Sequence, residues 1–171
     1  MVCSVGVSSD CFRFTNLWRA HLAWPRLLAF VYLALAAGMA VAADSRHLVI
    51  QNDNGGAVTA RARQIAALKR DQIRLEIRGD YCMSSCTMYL SLPDVCVTPQ
   101  TIFGFHGPSS PIYGVGLLPA EFDRWSRMIA AYYPEPIRSW YMTTGRNRTV
   151  GFYRYSGREL IRIGIRQCPT A

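Results

Sequence analysis

An uninterrupted apolar run from Leu27 to Ala43, with basic residues ahead of it, decides which part of this 171-residue chain can form a folded domain. Its small residues Ala40–Ala42 match the pattern that signal peptidase accepts. The run is shorter than the roughly 20 residues that span a bilayer. We therefore expect residues 1–43 to be a signal peptide whose true start lies further in, with an uncleaved anchor over 27–43 as the alternative. Residues 44–171 form the exported domain.

The exported domain is basic, since lysine and arginine outnumber aspartate and glutamate by 19 to 11 in the whole chain. A positive surface can attract anionic partners such as lipid or nucleic acid. The positive charges are spread along the chain, without a dense block or interleaved aromatic residues. We therefore predict a solvated basic surface and no nucleic-acid partner. A domain of this length buries one core and leaves little for a second domain.

Four cysteines remain after the expected cleavage site: Cys82, Cys86, Cys96 and Cys168. An even number in an exported chain predicts two disulfides and an oxidising compartment, periplasmic or extracellular. The sequence leaves three pairings open. Because Cys96 and Cys168 are distant in sequence, we expect each to bridge back to the 82–86 segment. Zinc ligation by Cys82 and Cys86, or a nucleophilic thiol at Cys86, are the alternatives.

Strand and helix patterns alternate along the domain. Residues 46–52, 72–79 and 100–107 have the β-branched, apolar or alternating character of strands. Residues 57–71 have helical spacing, and residues 84–92 have the character of a short helix. This order predicts an α/β fold with one largely parallel sheet and flanking helices. In such folds, binding groups collect at the carboxyl ends of the strands.

Three of these strand ends carry residues suited to acyl-transfer chemistry. A serine needs a base to become a nucleophile, and histidine is the usual base near neutral pH. Ser85 follows the second strand, and His106 ends the third. The Gly55-Gly56 turn after the first strand offers backbone N–H groups for an oxyanion. Each feature alone is commonly structural, so the combination carries the hypothesis.

The same segments resemble motifs of the Clp-protease/crotonase superfamily. "NDNGGAV" resembles its Gly-Gly turn, "GDYCMSSCTMYL" its nucleophile segment and "TPQTIFGFHGP" its histidine strand. Within the superfamily, the chain looks like an exported "predicted periplasmic protein" branch of Clp-type proteolytic-subunit relatives. The resemblance implies Ser85 as nucleophile, His106 as base, and the N–H groups of Gly56 and Ala57 as the oxyanion hole. It also implies hydrolysis of a peptide or ester without metal or organic cofactor, in a chain that could form homo-oligomers.

The segment before "YSGREL", where such relatives place a third catalytic residue, contains no carboxylate. Asn147 is the plausible orienting side chain there, which predicts a Ser–His pair in place of a triad. Ser84 is expected to cap the helix or support Ser85. The alternative function is an inactive member of the fold that serves as a binding or assembly protein of the cell envelope.

Overall fold

The computed structural model describes residues 46–110, 112 and 115–170. The predicted signal peptide and the alternative anchor over 27–43 lie outside these residues. Within the described part of the chain, no helix is both long enough and apolar enough to cross a membrane.

Six short strands, four α-helices and two 3₁₀ helices make up this part of the chain. In chain order they are β1 (His47–Ile50), α1 (Val58–Arg70), β2 (Arg74–Ile77), β3 (Tyr81–Met83), the 3₁₀ helix Ser84–Ser91, β4 (Val95–Val97), β5 (Ile102–Phe105), α2 (Pro119–Ala130), α3 (Ile137–Thr143), the 3₁₀ helix Gly145–Asn147, β6 (Tyr153–Ser156) and α4 (Gly157–Arg162).

Strands β1, β2 and β4 form a parallel sheet in that order. The alternation predicted for residues 72–79 is visible in β2, where Leu75 and Ile77 are fully buried and the intervening Glu76 is not. The first helix, α1, connects β1 to β2 and adds Ile65 to the same core. This half of the fold follows the strand–helix–strand pattern that the sequence predicts.

Strands β3, β5 and β6 form a second sheet, in which β3 runs parallel to β5 and β6 runs antiparallel to it. The predicted α/β class is confirmed, and the strand pairs are parallel except for β5 with β6. The strands do not form a single sheet, however, but one parallel and one mixed sheet. The chain changes sheets at Gly79, between β2 and β3. A side chain at Gly79 would collide with the backbone of Gln51, so only glycine allows the two segments to approach this closely.

The segment after β1 also passes to the second sheet. Asp53 lies beside Cys82 in a parallel bridge, in which Asp53 N–H donates to Tyr81 O (3.2 Å) and Met83 N–H donates to Asp53 O (2.8 Å). The Gly55-Gly56 turn that follows is therefore fastened to the end of β3. This bridge sets the position of the turn relative to the residues that follow β3.

The disulfides are Cys82–Cys86 and Cys96–Cys168, with Cα–Cα distances of 5.3 and 4.9 Å. The prediction of two disulfides is confirmed, but the expected bridges from Cys96 and Cys168 to the 82–86 segment are wrong. The chain end runs beside β4, where Val97 pairs with Gln167, and this pairing brings Cys168 to Cys96. Cys82 ends up near Cys86 because the chain turns sharply after β3.

Candidate functional site

Ser84 occupies the sharp turn between β3 and the 3₁₀ helix Ser84–Ser91. Its φ of +55° is uncommon for a residue other than glycine and stores backbone strain of about 1–3 kcal/mol. The Cys82–Cys86 disulfide spans the turn, and the Ser84 carbonyl accepts a hydrogen bond from Thr87 Oγ1 at 2.7 Å. These contacts hold Ser84 in a conformation that the chain would otherwise leave.

His106 follows β5, and the parallel pairing of β3 with β5 brings it close to Ser84. Met83 is opposite Gly104 in this pairing, so the residues just beyond the two strands meet at one edge of the sheet. His106 Nε2 lies 2.7 Å from Ser84 Oγ. Tyr141 donates its hydroxyl hydrogen to the His106 carbonyl at 3.1 Å, which fixes the backbone under the imidazole.

The predicted pairing of Ser85 with His106 is therefore wrong, because the structure pairs His106 with Ser84. Ser85 is 4% exposed, and its hydroxyl has no hydrogen-bond partner among the described residues. The physical reason is the turn itself. At the end of a strand, a one-residue shift changes the direction of the side chain. Ser85 is among the buried residues of the helix Ser84–Ser91, whereas Ser84 is not.

Burial governs the electrostatics of the imidazole. Desolvation lowers the pKa of His106 below the ordinary value for histidine, and a hydrogen bond with the Gly107 backbone partly opposes this shift. The edge of the Phe152 ring lies against the imidazole, with 5.1 Å between the ring centroids. Because its pKa is lowered, the His106 imidazole is neutral near pH 7. In the tautomer with the proton on Nδ1, Nε2 can accept the proton of the Ser84 hydroxyl.

The predicted orienting residue, Asn147, is not placed at the imidazole. Its side-chain amide donates to the Thr143 carbonyl at 3.0 Å in an exposed position. The nearby acid Asp123 is paired with Arg127 and Arg146. Among the described residues, no carboxylate hydrogen-bonds to the His106 ring. The arrangement is a Ser84–His106 pair whose histidine is held by backbone and aromatic contacts.

The Gly55-Gly56 turn lies against the serine turn. Gly55 and Gly56 have φ values of +93° and +140°, which favour glycine. A Cβ on Gly55 would lie 2.6 Å from Ser84 Cβ and 3.0 Å from Ser85 N, so the two turns are in direct contact. The predicted oxyanion residues, Gly56 and Ala57, border the same cavity as Ser84 and His106. The structure thus brings all three predicted strand ends together.

The cavity in front of this pair has a volume of about 440 Å³. Within the part of the chain that the structure describes, His106 is its one titratable side chain other than tyrosine, and no aspartate, glutamate, lysine or arginine lines it. Its larger side chains are Val58, Leu117, Trp125, Ile129 and Tyr133. A neutral and largely apolar group is the best match for such a space.

Asp53 and Arg61 are the site residues that the sequence reasoning missed. Asp53 accepts a hydrogen bond from Gly55 N–H at 2.7 Å, and its other oxygen pairs with Arg61 at 2.6 Å. Arg61 also donates to the hydroxyl of Tyr89, in the 3₁₀ helix after Ser84. Although Arg61 is one of the charged residues of α1, it is only 9% exposed. An aspartate two residues before Gly55 was the available signal, because Asp commonly bonds to the backbone two residues on.

The cysteines do not offer other chemistry. Cys82 and Cys86 are bonded to each other, so the zinc-ligand and thiol-nucleophile alternatives do not hold for them. In the described residues, the remaining group of candidate metal ligands consists of Glu76, Cys96 and Cys168, and its two sulfur atoms are also bonded. Ser84 and His106 therefore remain the reactive candidates.

Comparison with known proteins adds no constraint. The chain matches no protein-family model, and no curated protein is found with a similar sequence. The chemistry of the site is therefore argued from its geometry.

Proposed function

We propose that the chain is an exported serine hydrolase of Clp/crotonase type that acts on a peptide or ester through the Ser84–His106 pair. The observation that carries this proposal is the 2.7 Å contact between Ser84 Oγ and His106 Nε2 at the wall of a cavity. The two disulfides fit an oxidising compartment, and the periplasm is the location that we propose.

In the proposed reaction, Ser84 Oγ attacks the substrate carbonyl while His106 Nε2 takes the hydroxyl proton. The carbonyl π electrons move to oxygen, and backbone N–H groups stabilise that oxyanion. The N–H groups of Gly56 and Ala57 are our candidates for these donors, and the N–H of Ser85, which follows the nucleophile, is a further one. Collapse of the intermediate expels the amine or alcohol, which takes its proton from His106. Water then hydrolyses the acyl-enzyme by the same route.

The cavity supports a neutral, apolar acyl group as the bound part of the substrate. Its lining carries no fixed charge in the described residues, and Trp125 and Ile129 border it. A charged acyl group would lose its hydration there without gaining a partner. Peptides or esters with an apolar residue next to the scissile bond are therefore the assay substrates of choice.

A fluorophosphonate probe tests the proposal on the purified exported domain. Wild type should be labelled, and Ser84→Ala should lose the label, because the probe bonds to an activated serine. His106→Ala should lower the labelling rate at least about 10²-fold, since general-base catalysis is commonly worth 10²–10⁴. Ser85→Ala is the matched control and should label like wild type, because it removes the neighbouring hydroxyl, which has no hydrogen-bond partner in the described part of the chain.

An inactive binding or assembly protein is the second candidate, and the absence of a carboxylate on His106 among the described residues favours it. Such a protein would keep the fold and the cavity but lack an activated serine. A folded wild-type domain that the probe does not label would support this candidate and refute the hydrolase.

A further inference from the structure

We infer that Asp53 and Arg61 are positioning residues that hold the glycine turn, Gly55-Gly56, against the serine turn at Ser84. This inference rests on the proposed function, because it assigns these two side chains the task of aiming the Gly56 N–H at the oxyanion. Neither residue lines the cavity, so neither touches the substrate. We call the pair the Asp53–Arg61 clamp.

Asp53 connects the glycine turn to β3 through both its backbone and its side chain. Its backbone is bridged to Tyr81 and Met83, the residues just before the serine turn. Its Oδ1 accepts from Gly55 N–H at 2.7 Å. The Asn54–Gly55 peptide unit, one unit before the one that carries the Gly56 N–H, is therefore fixed by a carboxylate that is itself fixed to β3.

Arg61 holds Asp53 from the opposite side. Its guanidinium bonds to Asp53 Oδ2, to Gln64 Oε1 at 3.0 Å and to the Tyr89 hydroxyl, and it lies 4.4 Å from the centroid of the Tyr89 ring. Tyr89 is fully buried in the helix that begins at Ser84. One planar cation therefore links the glycine turn to the helix behind the nucleophile, a geometry that a lysine cannot reproduce.

The consequence for the reaction is orientation. A preorganised oxyanion donor contributes about 10²–10³ to the rate, and a displacement of 1 Å in such a site can cost about 10²-fold. Loss of the clamp should therefore slow bond formation with the probe more than it weakens reversible binding of the probe. A merely structural ion pair would lower stability and leave this ratio unchanged.

The experiment measures fluorophosphonate labelling of the exported domain, separated into the maximal rate and the half-saturating concentration. In Asp53→Ala we expect the maximal rate to fall about 10²-fold with a half-saturating concentration within about 3-fold of wild type. Asp53→Asn keeps an oxygen that can accept from the Gly55 N–H, so its maximal labelling rate should be at least about 10-fold higher than that of Asp53→Ala. Arg61→Lys keeps the charge but not the planar contacts, and should lose about 10-fold.

Glu76→Gln is the matched control, since Glu76 in β2 forms a half-buried ion pair with Arg78 and, like Asp53, does not line the cavity. It should label like wild type. Circular dichroism checks folding, and if Asp53→Ala does not fold, Asp53→Asn and Arg61→Lys decide the question. Folded clamp variants with a wild-type maximal rate would overturn the inference, as would an equal loss in Glu76→Gln.

Amide hydrogen exchange separates this inference from the proposed function. In Asp53→Ala, exchange at Gly55 should accelerate at least about 10-fold, because its acceptor is removed, while Glu76→Gln should leave it unchanged. If wild type is not labelled, the proposed function fails, and exchange alone decides whether the clamp holds the turn. Unchanged exchange at Gly55 would refute the clamp whatever the labelling shows.

Discussion

Gly55→Ala is the change that most directly tests the contact between the glycine turn and the serine turn at Ser84. The new Cβ would lie 2.6 Å from Ser84 Cβ and 2.7 Å from the Met83 carbonyl oxygen. Both partners are held, Met83 by β3 and Ser84 by its turn, so neither can move away without disturbing the site. The φ of +93° adds a backbone strain that glycine alone avoids.

The magnitude follows from these two effects. A left-handed conformation costs an alanine about 1–2 kcal/mol, and overpacking adds about 1–3 kcal/mol. Gly164→Ala isolates the first effect, because Gly164 has a similar φ of +105° and open space around its Cβ position. Urea unfolding should therefore place Gly55→Ala about 1–3 kcal/mol below Gly164→Ala in free energy of unfolding. Only Gly55→Ala should slow fluorophosphonate labelling, by about 10-fold or more, because it displaces Ser84.

Equal losses of stability in the two variants would refute the close contact between the turns. A Gly55→Ala variant that is destabilised as expected but labels at the wild-type rate would refute a different step. It would show that the position of Ser84 relative to the glycine turn does not control the reaction.

Two further predictions concern pH and the disulfides. Because burial lowers the pKa of His106 below its ordinary value, labelling should be independent of pH above about pH 7 and should fall as the pH becomes more acidic. The unfolded chain also binds a proton that folded His106 excludes, so urea unfolding should show wild type losing stability relative to His106→Gln as the pH falls below 6.5. Replacing Cys96 and Cys168 by alanine should lower the free energy of unfolding by about 4 kcal/mol, and replacing Cys82 and Cys86 should lower it by about 2 kcal/mol. The difference arises because the Cys96–Cys168 disulfide closes the longer loop. Only the loss of the Cys82–Cys86 disulfide, which spans the turn at Ser84, should also lower the labelling rate markedly. A larger stability loss from removing Cys82–Cys86, or a slower labelling rate after removing Cys96–Cys168 alone, would contradict this prediction.

The longer and more regular elements were predictable from the sequence. The strand patterns at residues 46–52, 72–79 and 100–107 correspond to β1, β2 and β5, and the helical pattern at 57–71 corresponds to α1. In β2, the buried side chains of Leu75 and Ile77 recur at the two-residue period of a strand. The order of these elements was enough to predict that Gly55-Gly56, the double serine and His106 meet at strand ends.

The second sheet was not predictable in the same way. Strand β3 of this sheet has three residues, too few for a period to appear in the sequence. The change of sheet depends on Gly79, whose role becomes visible only when Gln51 is placed beside it. The disulfide pairing depends on where the chain end returns, which is a tertiary property and not a function of sequence separation.

The choice between Ser84 and Ser85 shows where residue patterns lose their resolution. The family resemblance selects Ser85, and the periodicity of a strand does not extend through a turn to test that choice. The decisive quantity is the φ of +55° at Ser84, which depends on contacts from distant segments. Gly55 lacks the Cβ that would collide with Ser84, and Thr87 Oγ1 donates a hydrogen bond to the Ser84 carbonyl oxygen.

The contacts of His106 bear on how a serine–histidine pair could act without a carboxylate. In a triad, the acid fixes the histidine tautomer and stabilises the imidazolium that forms. Here Tyr141 and Phe152 hold the histidine, and the hydrogen bond with the Gly107 backbone favours its protonated form. These contacts can supply the orientation but only part of the charge stabilisation. A hydrolase built this way should therefore bind its substrate as well as a triad enzyme does and turn it over more slowly, so that the deficit appears in kcat and not in KM.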